Sequence, residues 1–216
     1  MVAGALLESE VVGMLADEGL RALEGAAGVV AVASGYHDPG DRGSGVFVWE
    51  ETPSANNDGV FVAFGVPYGS NVAGPGWRRL TDGGALDSAW FGALGDYNPT
   101  GGTGGDYDTA ALQRMLDLIA SDPRRWSAVI PDGIYRIDAP LRIRSSYQIH
   151  GHGEPILWGV SVASILSIAE SLSPPTIADS VEIDGLTLLG SGTVAAEIVA
   201  VQGSKISLFI GGTFTH

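Results

Sequence analysis

The chain has 216 residues with 32 Gly, no Cys and 45% hydrophobic residues, and its net charge is −14 from 11 basic and 25 acidic side chains. The lack of Cys excludes disulfides, thiolate metal sites and a Cys nucleophile, and the negative charge opposes both a phosphate backbone and an anionic membrane surface. No run of about 18 apolar residues offers a membrane span, and the start Met1-Val2-Ala3-Gly4 followed by Glu8 and Glu10 has no basic signal-peptide region.

Residues 5–24 carry Leu7, Val11, Met14 and Leu15 at helical spacing, extended less regularly by Leu20 and Leu23. The expectation is an N-terminal helical segment over residues 1–27. Its stripe is narrow and interrupted by Gly13 and Gly19, so it needs a partner, either its own domain or another protein. These six apolar residues are the candidates for self-association or docking.

The period then changes. Val29-Val30, Val46-Phe47-Val48-Trp49 and Val60-Phe61-Val62-Ala63-Phe64 are short strand-like runs bounded by turn residues. Asp58-Gly59 suits a hairpin turn, because Gly accepts positive φ at little cost. With Gly76-Trp77-Arg78-Arg79-Leu80 these runs predict a small antiparallel β module over residues 28–85. A module this small is marginal alone and implies further contacts.

Residues 86–126 read as a connector and one helix. Asp106 or Asp108 can cap that helix, Leu112, Met115, Leu116 and Ile119 form its apolar face, and Pro123 stops it. From 127 to 216 no helix is predicted. Leu141-Arg142-Ile143, Tyr147-Gln148-Ile149, Val181-Glu182-Ile183 and Lys205-Ile206-Ser207-Leu208 alternate apolar and polar residues, as half-buried strands do. Ser180 and Lys205 start matching strands 25 residues apart, and Tyr147 to Val181 is 34. Without intervening helices a βαβ sheet is disfavoured, which leaves a parallel coil of strands or a sandwich.

The strings Trp90-Phe91-Gly92-Ala93-Leu94-Gly95-Asp96, Asp108-Thr109-Ala110-Ala111-Leu112-Gln113, Val129-Ile130-Pro131-Asp132-Gly133-Ile134-Tyr135 and Ile149-His150-Gly151-His152-Gly153 resemble the opening of the pectate-lyase-like, right-handed parallel β-helix family. The family's Gly-Asp-Gly-x-x-Asp-Asp-Thr run is interrupted here by an insertion at residues 98–105. The strings Gly35-Tyr36-His37-Asp38-Pro39-Gly40-Asp41, Gly45-Val46-Phe47-Val48-Trp49, Asn57-Asp58-Gly59 and Gly76-Trp77-Arg78-Arg79-Leu80 resemble the small β module ahead of the β-helix in bacteriophage tailspikes and tail fibres.

The resemblance implies a mainly β protein. It would have an attachment module, a helix capping the coil through Leu112, Met115, Leu116 and Ile119, and the first β-helix rungs over 127–216. It further implies a homotrimer that attaches to phage tail or baseplate proteins and meets bacterial surface polysaccharide through its distal part. Assembly would take place in the host cytoplasm, and the protein would be extracellular in the virion tail after release.

Catalytic candidates are few. Among Asp132, Asp138, Glu182, Asp184 and Glu197, only Glu182 and Asp184 are two apart on one strand face, a spacing that suits a glycosidase pair but also any solvated acidic strand. In the resembled enzymes such carboxylates lie on later rungs, so no catalytic residue is expected in this stretch. The 101–105 glycine loop lacks a P-loop Lys and is ringed by Asp96, Asp106 and Asp108, which leaves no nucleotide site and fits no Ca²⁺ loop. His150 and His152 lack a third metal ligand, and no cofactor is implied. Three readings follow: a structural virion component, a polysaccharide lyase or hydrolase acting on bacterial capsule, and a carbohydrate-binding module using its Trp residues. The pattern stops at His216 in mid-repeat, which predicts either a longer protein or a partner covering the coil's end.

Overall fold

The computed structural model describes residues 6–11, 19–106, 108–122, 127–144, 147–168, 180–190, 194–198 and 207–210. The chain divides into two compact units, Met1–Asp82 with Ala89–Gly92, and Gly83–Ser88 with Ala93–His216.

The first unit is built on a five-stranded sheet: β1 (Leu6–Val11), β2 (Val30–Ala33), β3 (Gly45–Ala55), β4 (Phe61–Ala63) and β5 (Ala73–Arg79), in the order β1-β2-β3-β5-β4. β1 runs parallel to β2, and the remaining neighbours are antiparallel. Ala31, Ala33, Phe47, Trp49, Val62 and Trp77 form one core with Leu20 and Tyr36. Trp49 and Trp77 face each other across β3 and β5 with ring centroids 5.2 Å apart, an edge-to-face contact that aromatic quadrupoles favour. The Trp77 indole N–H donates to Leu23 O at 2.7 Å.

Where it is described, the segment over residues 5–24 is not the predicted helix. Leu6–Val11 is a strand, and residues 19–22 form turns. Leu7 and Val11 are four apart, a spacing that serves a helix face and a strand face equally, so pairing with β2 decides the outcome. Leu20 is fully buried and Leu23 packs beside it in the unit's own core, so Leu20 presents no surface to a partner. Met14 and Leu15 lie outside the described residues. Asp58-Gly59 is no hairpin turn either, because β5 lies between β3 and β4. Asp58 still takes the turn conformation, at φ 63°.

The second unit begins with β6 (Ala85–Asp87), a strand where a connector was expected, and contains α1 (Asp108–Ser121). Three successive turns follow: β7 (Ser127–Pro131), β8 (Ile134–Ile137) and β9 (Leu141–Ile143); β10 (Tyr147–His152), β11 (Ile156–Gly159) and β12 (Ser164–Ile168); β13 (Ser180–Asp184), β14 (Thr187–Gly190) and β15 (Val194–Ile198). β16 (Ser207–Ile210) opens the next.

Corresponding strands of each turn stack into three sheets, β6-β7-β10-β13-β16, β8-β11-β14 and β9-β12-β15, and the pairs within them are parallel. This is a parallel β-helix, and the sandwich alternative is excluded. Tyr147 pairs with Val181, as the 34-residue interval predicts. Ser180 pairs with Ser207, not with Lys205, so that interval is 27 residues rather than 25. A slip of two keeps the same face inward, which is why alternation alone could not resolve it.

Candidate functional site

Three places concentrate polar chemistry. At the start of the coil, α1 packs against β7, β8 and β9. Its Leu112, Met115 and Leu116 line one apolar space with Ile130, Leu141, Ile149, Leu157 and Leu166 of the strands and Leu186 between β13 and β14, and Ile119 is also buried. Its polar side chains serve the outer edges of the first turn. Gln113 Oε1 accepts from Arg142 N at 2.8 Å and its Nε2 donates to Arg142 O at 3.2 Å. Thr109 Oγ1 donates to Arg136 O and accepts from Asp138 N, both at 3.0 Å.

Asp106 or Asp108 was expected to cap the helix. The Asp108 carboxylate accepts from Leu94 N, Gly95 N and Arg136 N, at 2.9, 3.2 and 2.9 Å, outside the helix. Burial pushes its carboxyl above the usual value, a shift that these backbone donors only partly offset and nearby Asp96 reinforces.

The second place lies in the first unit, around Asp41, Arg79 and Asp58. Asp41 accepts from the backbone N–H groups of Tyr36, His37 and Gly43 at 2.7, 2.7 and 2.8 Å and from Asp38 at 3.1 Å. Burial alone would raise its carboxyl, but these four donors together hold it below the usual value. Arg79 is buried, with its guanidinium donating to Gly43 O, Ser44 O and Gly59 O at 2.9, 2.7 and 3.0 Å. It sits over the Phe47 and Trp90 rings, 4.6 and 4.9 Å from their centroids. Asp58 accepts from Arg21 at 2.5 Å, Asn56 at 2.6 Å and Gly69 N at 2.8 Å. These groups are consumed in holding loops together, a role that residue spacing alone did not reveal.

The third place is the outer face of the coil's first sheet. Glu182 lies beside Gln148 and Asp184 beside His150, one turn apart and in register. Gln148 Nε2 donates to Glu182 Oε2 at 2.7 Å, and His150 Nδ1 meets Asp184 Oδ1 at 2.6 Å. Two residues along a strand place the carboxylates about 6.6 Å apart at the backbone. A glycosidase acid, however, needs an apolar enclosure to keep its proton, and the Asp184 side chain is 54% exposed. The face is a solvated ladder of side-chain pairs.

Asp132 and Asp138 lie at the corners after β7 and β8, so these carboxylates do not join the ladder, and Glu197 belongs to β15, a strand of another sheet. Asp96 accepts from Gly105 N and Asp106 pairs with Arg136 at 3.1 Å, so the acidic residues around the glycine loop are engaged by the protein's own donors. Among the described residues no three His, Asp or Glu side chains could share a metal ion. No helix among them is long and apolar enough to cross a membrane. Of the tryptophans, Trp49 and Trp77 are core, Trp90 covers Arg79, Trp126 lies outside the described residues, and Trp158 points outward from β11.

The arrangement is shared with solved structures. It is similar to Pantoea stewartii WceF, described as a glycan biofilm modifying enzyme with a bacteriophage tailspike-like parallel β-helix fold, at TM-score 0.67 and 19% identity over 90% of this chain and 29% of that one. The chain has a tailspike-like parallel β-helix fold. The Acinetobacter phage vB_ApiP_P1 tailspike matches at TM-score 0.60 and 18% identity, over 88% of this chain and 32% of that one. The enzymatically active domain of bacteriophage CBA120 tailspike protein 4 matches at 0.61 and 16%, over 89% of this chain and 25% of that one. The chain thus spans about a third or less of the length of these proteins, and at such identities the likeness concerns the fold. No family model matches the sequence, and neither does any curated protein.

Proposed function

We propose that this chain is the N-terminal part of a homotrimeric tailspike or tail fibre, a structural component of the virion tail. The first unit attaches to phage tail or baseplate proteins, and the β-helix continues toward bacterial surface polysaccharide. The observation that carries this reading is the order of parts: a compact β unit, then α1 against the first turn of a parallel coil, matched over 88% of the chain by a phage tailspike. In this reading α1 is a cap. The first turn of a coil exposes apolar side chains and unpaired strand edges, and α1 meets both needs. The absence of Cys suits assembly in a reducing host cytoplasm, before release makes the protein extracellular. Light scattering coupled to size-exclusion chromatography tests the reading. A trimer at micromolar concentration is expected, and a clean monomer counts against it.

A second reading is a capsule-degrading lyase or hydrolase whose active site lies on later turns. It is favoured by two similar structures, one described as a glycan-modifying enzyme and one as an enzymatically active domain. Release of reducing ends from capsular polysaccharide by this chain would support catalysis within these residues. The open ladder of Glu182 and Asp184 leads to the opposite expectation.

A further inference from the structure

The chain holds four Asp-Gly dipeptides, Asp58-Gly59, Asp82-Gly83, Asp132-Gly133 and Asp184-Gly185. Such a pair can rearrange without an enzyme. The backbone nitrogen of the glycine attacks the aspartate Cγ, and the new C–N bond closes a five-membered succinimide. The carboxyl OH and the amide proton leave together as water. Water then opens the ring at either carbonyl, and opening at the main-chain carbonyl leaves isoaspartate. The water lost is the water regained, so no other reactant is needed. Glycine favours the attack because no Cβ shields its nitrogen. The reaction also needs a free carboxyl group and a backbone that can turn the nitrogen toward it.

The structure separates the four sites. Asp58 is fully buried, and its carboxylate accepts from Arg21, Asn56 and Gly69 N. The Gly59 N–H that would attack is donating to Asn57 Oδ1 at 3.2 Å. Asp132 and Asp184 are exposed, but their backbones are held. Gly133 lies between β7 and β8, its carbonyl accepts from Ile156 N at 2.8 Å, and a Cβ there would stand 2.7 Å from Gly95 O. Asp184 closes β13 and meets His150 Nδ1 at 2.6 Å, and a Cβ on Gly185 would stand 2.7 Å from Gly151 O. Asp82-Gly83 differs on every count. It lies between β5 and β6, in neither strand, and Asp82, Gly83 and Gly84 are all exposed. Asp82 has no hydrogen-bond or ion-pair partner among the described residues. A Cβ on Gly83 or Gly84 would meet nothing within 4 Å.

We propose that Asp82-Gly83 is a site of spontaneous aspartate isomerisation, and the first of the four to react in the folded protein. The first compact unit ends at Asp82 and the second begins at Gly83. Isoaspartate routes the main chain through Cβ and Cγ, so the change adds one methylene to the backbone at that boundary and keeps the negative charge.

The test is ageing of the full 216-residue chain at neutral pH, with isoaspartate located by peptide mapping and electron-transfer fragmentation. Total isoaspartate is read as methyl groups incorporated by an isoaspartyl methyltransferase. Isoaspartate is expected at position 82 at least about tenfold faster than at 58, 132 or 184, because those three must first open locally. Asp82→Glu keeps the charge but would have to close a slower six-membered ring, and is expected to remove most of the methyl incorporation. In denaturant the four dipeptides are expected to react at similar rates. Isoaspartate forming first at another dipeptide of the folded chain, or undiminished incorporation in Asp82→Glu, overturns the proposal. So does an equal preference for position 82 in the denatured chain, since the fold would then not be what selects it.

Discussion

The side-chain amide of Gln113 pairs with both backbone groups of Arg142, accepting from its N–H at 2.8 Å and donating to its carbonyl at 3.2 Å. One residue of a helix thus takes the place that a neighbouring strand would occupy beside β9. An open strand edge is a template for unwanted pairing, and here the helix occupies it. Gln113→Ala is expected to lower stability by about 1–2 kcal/mol, the usual range for two partly solvated hydrogen bonds. Urea unfolding followed by circular dichroism would measure this.

The apolar side of the same helix should matter more. Met115 is fully buried in the space at the start of the coil. Met115→Ala removes most of a side chain from a packed site and is expected to cost about 2–5 kcal/mol. A thermal melt together with dye binding to exposed apolar surface would register it. A loss below about 1 kcal/mol would mean that the coil does not depend on this helix.

Asp41 and Asp108 predict opposite responses to acid. Asp41 is held below 3.8 in the folded protein, so its contribution is present above 3.8 and is lost as pH falls through its depressed folded value. Asp108 is held above 3.8, so its contribution is complete below 3.8 and is lost as pH rises through its raised folded value. Asp41→Asn should therefore flatten the acid side of the stability profile, and Asp108→Asn should remove the decline on its alkaline flank. Urea midpoints measured across the acidic range, with each variant against wild type, separate the two.

Arg79 is an organising residue of the first unit. Its planar fork reaches three carbonyls at once and stacks between Phe47 and Trp90, which a lysine ammonium cannot reproduce. Arg79→Lys is expected to cost about 2–4 kcal/mol, because buried carbonyls lose their donors. Trp49, Trp77 and Trp90 lie in the same unit, so tryptophan fluorescence during denaturant unfolding reports the loss directly.

Much of this molecule can be read along the chain. The face of α1 is visible as Leu112, Met115, Leu116 and Ile119, because helical periodicity is local and needs no partner to be seen. The half-buried strands are visible for the same reason, as is the 34-residue interval between β10 and β13. The charge of −14 and the lack of Cys are likewise properties of the chain alone.

Tertiary structure decided what depends on a partner distant in sequence. Leu7 and Val11 suit either period, and only pairing with β2 makes Leu6–Val11 a strand. Leu20 suits its own domain's core or a docking face equally until the fold buries it in the core of the first unit. Arg79 reads as a charge at a strand end, yet the carbonyls of Gly43, Ser44 and Gly59 draw it inside. Gln113 shows no sign of Arg142, which lies 29 residues away. Local periodicity records which side of an element is buried, whereas the choice of partner is a property of the closed fold, made where loop closure and polar satisfaction are met together.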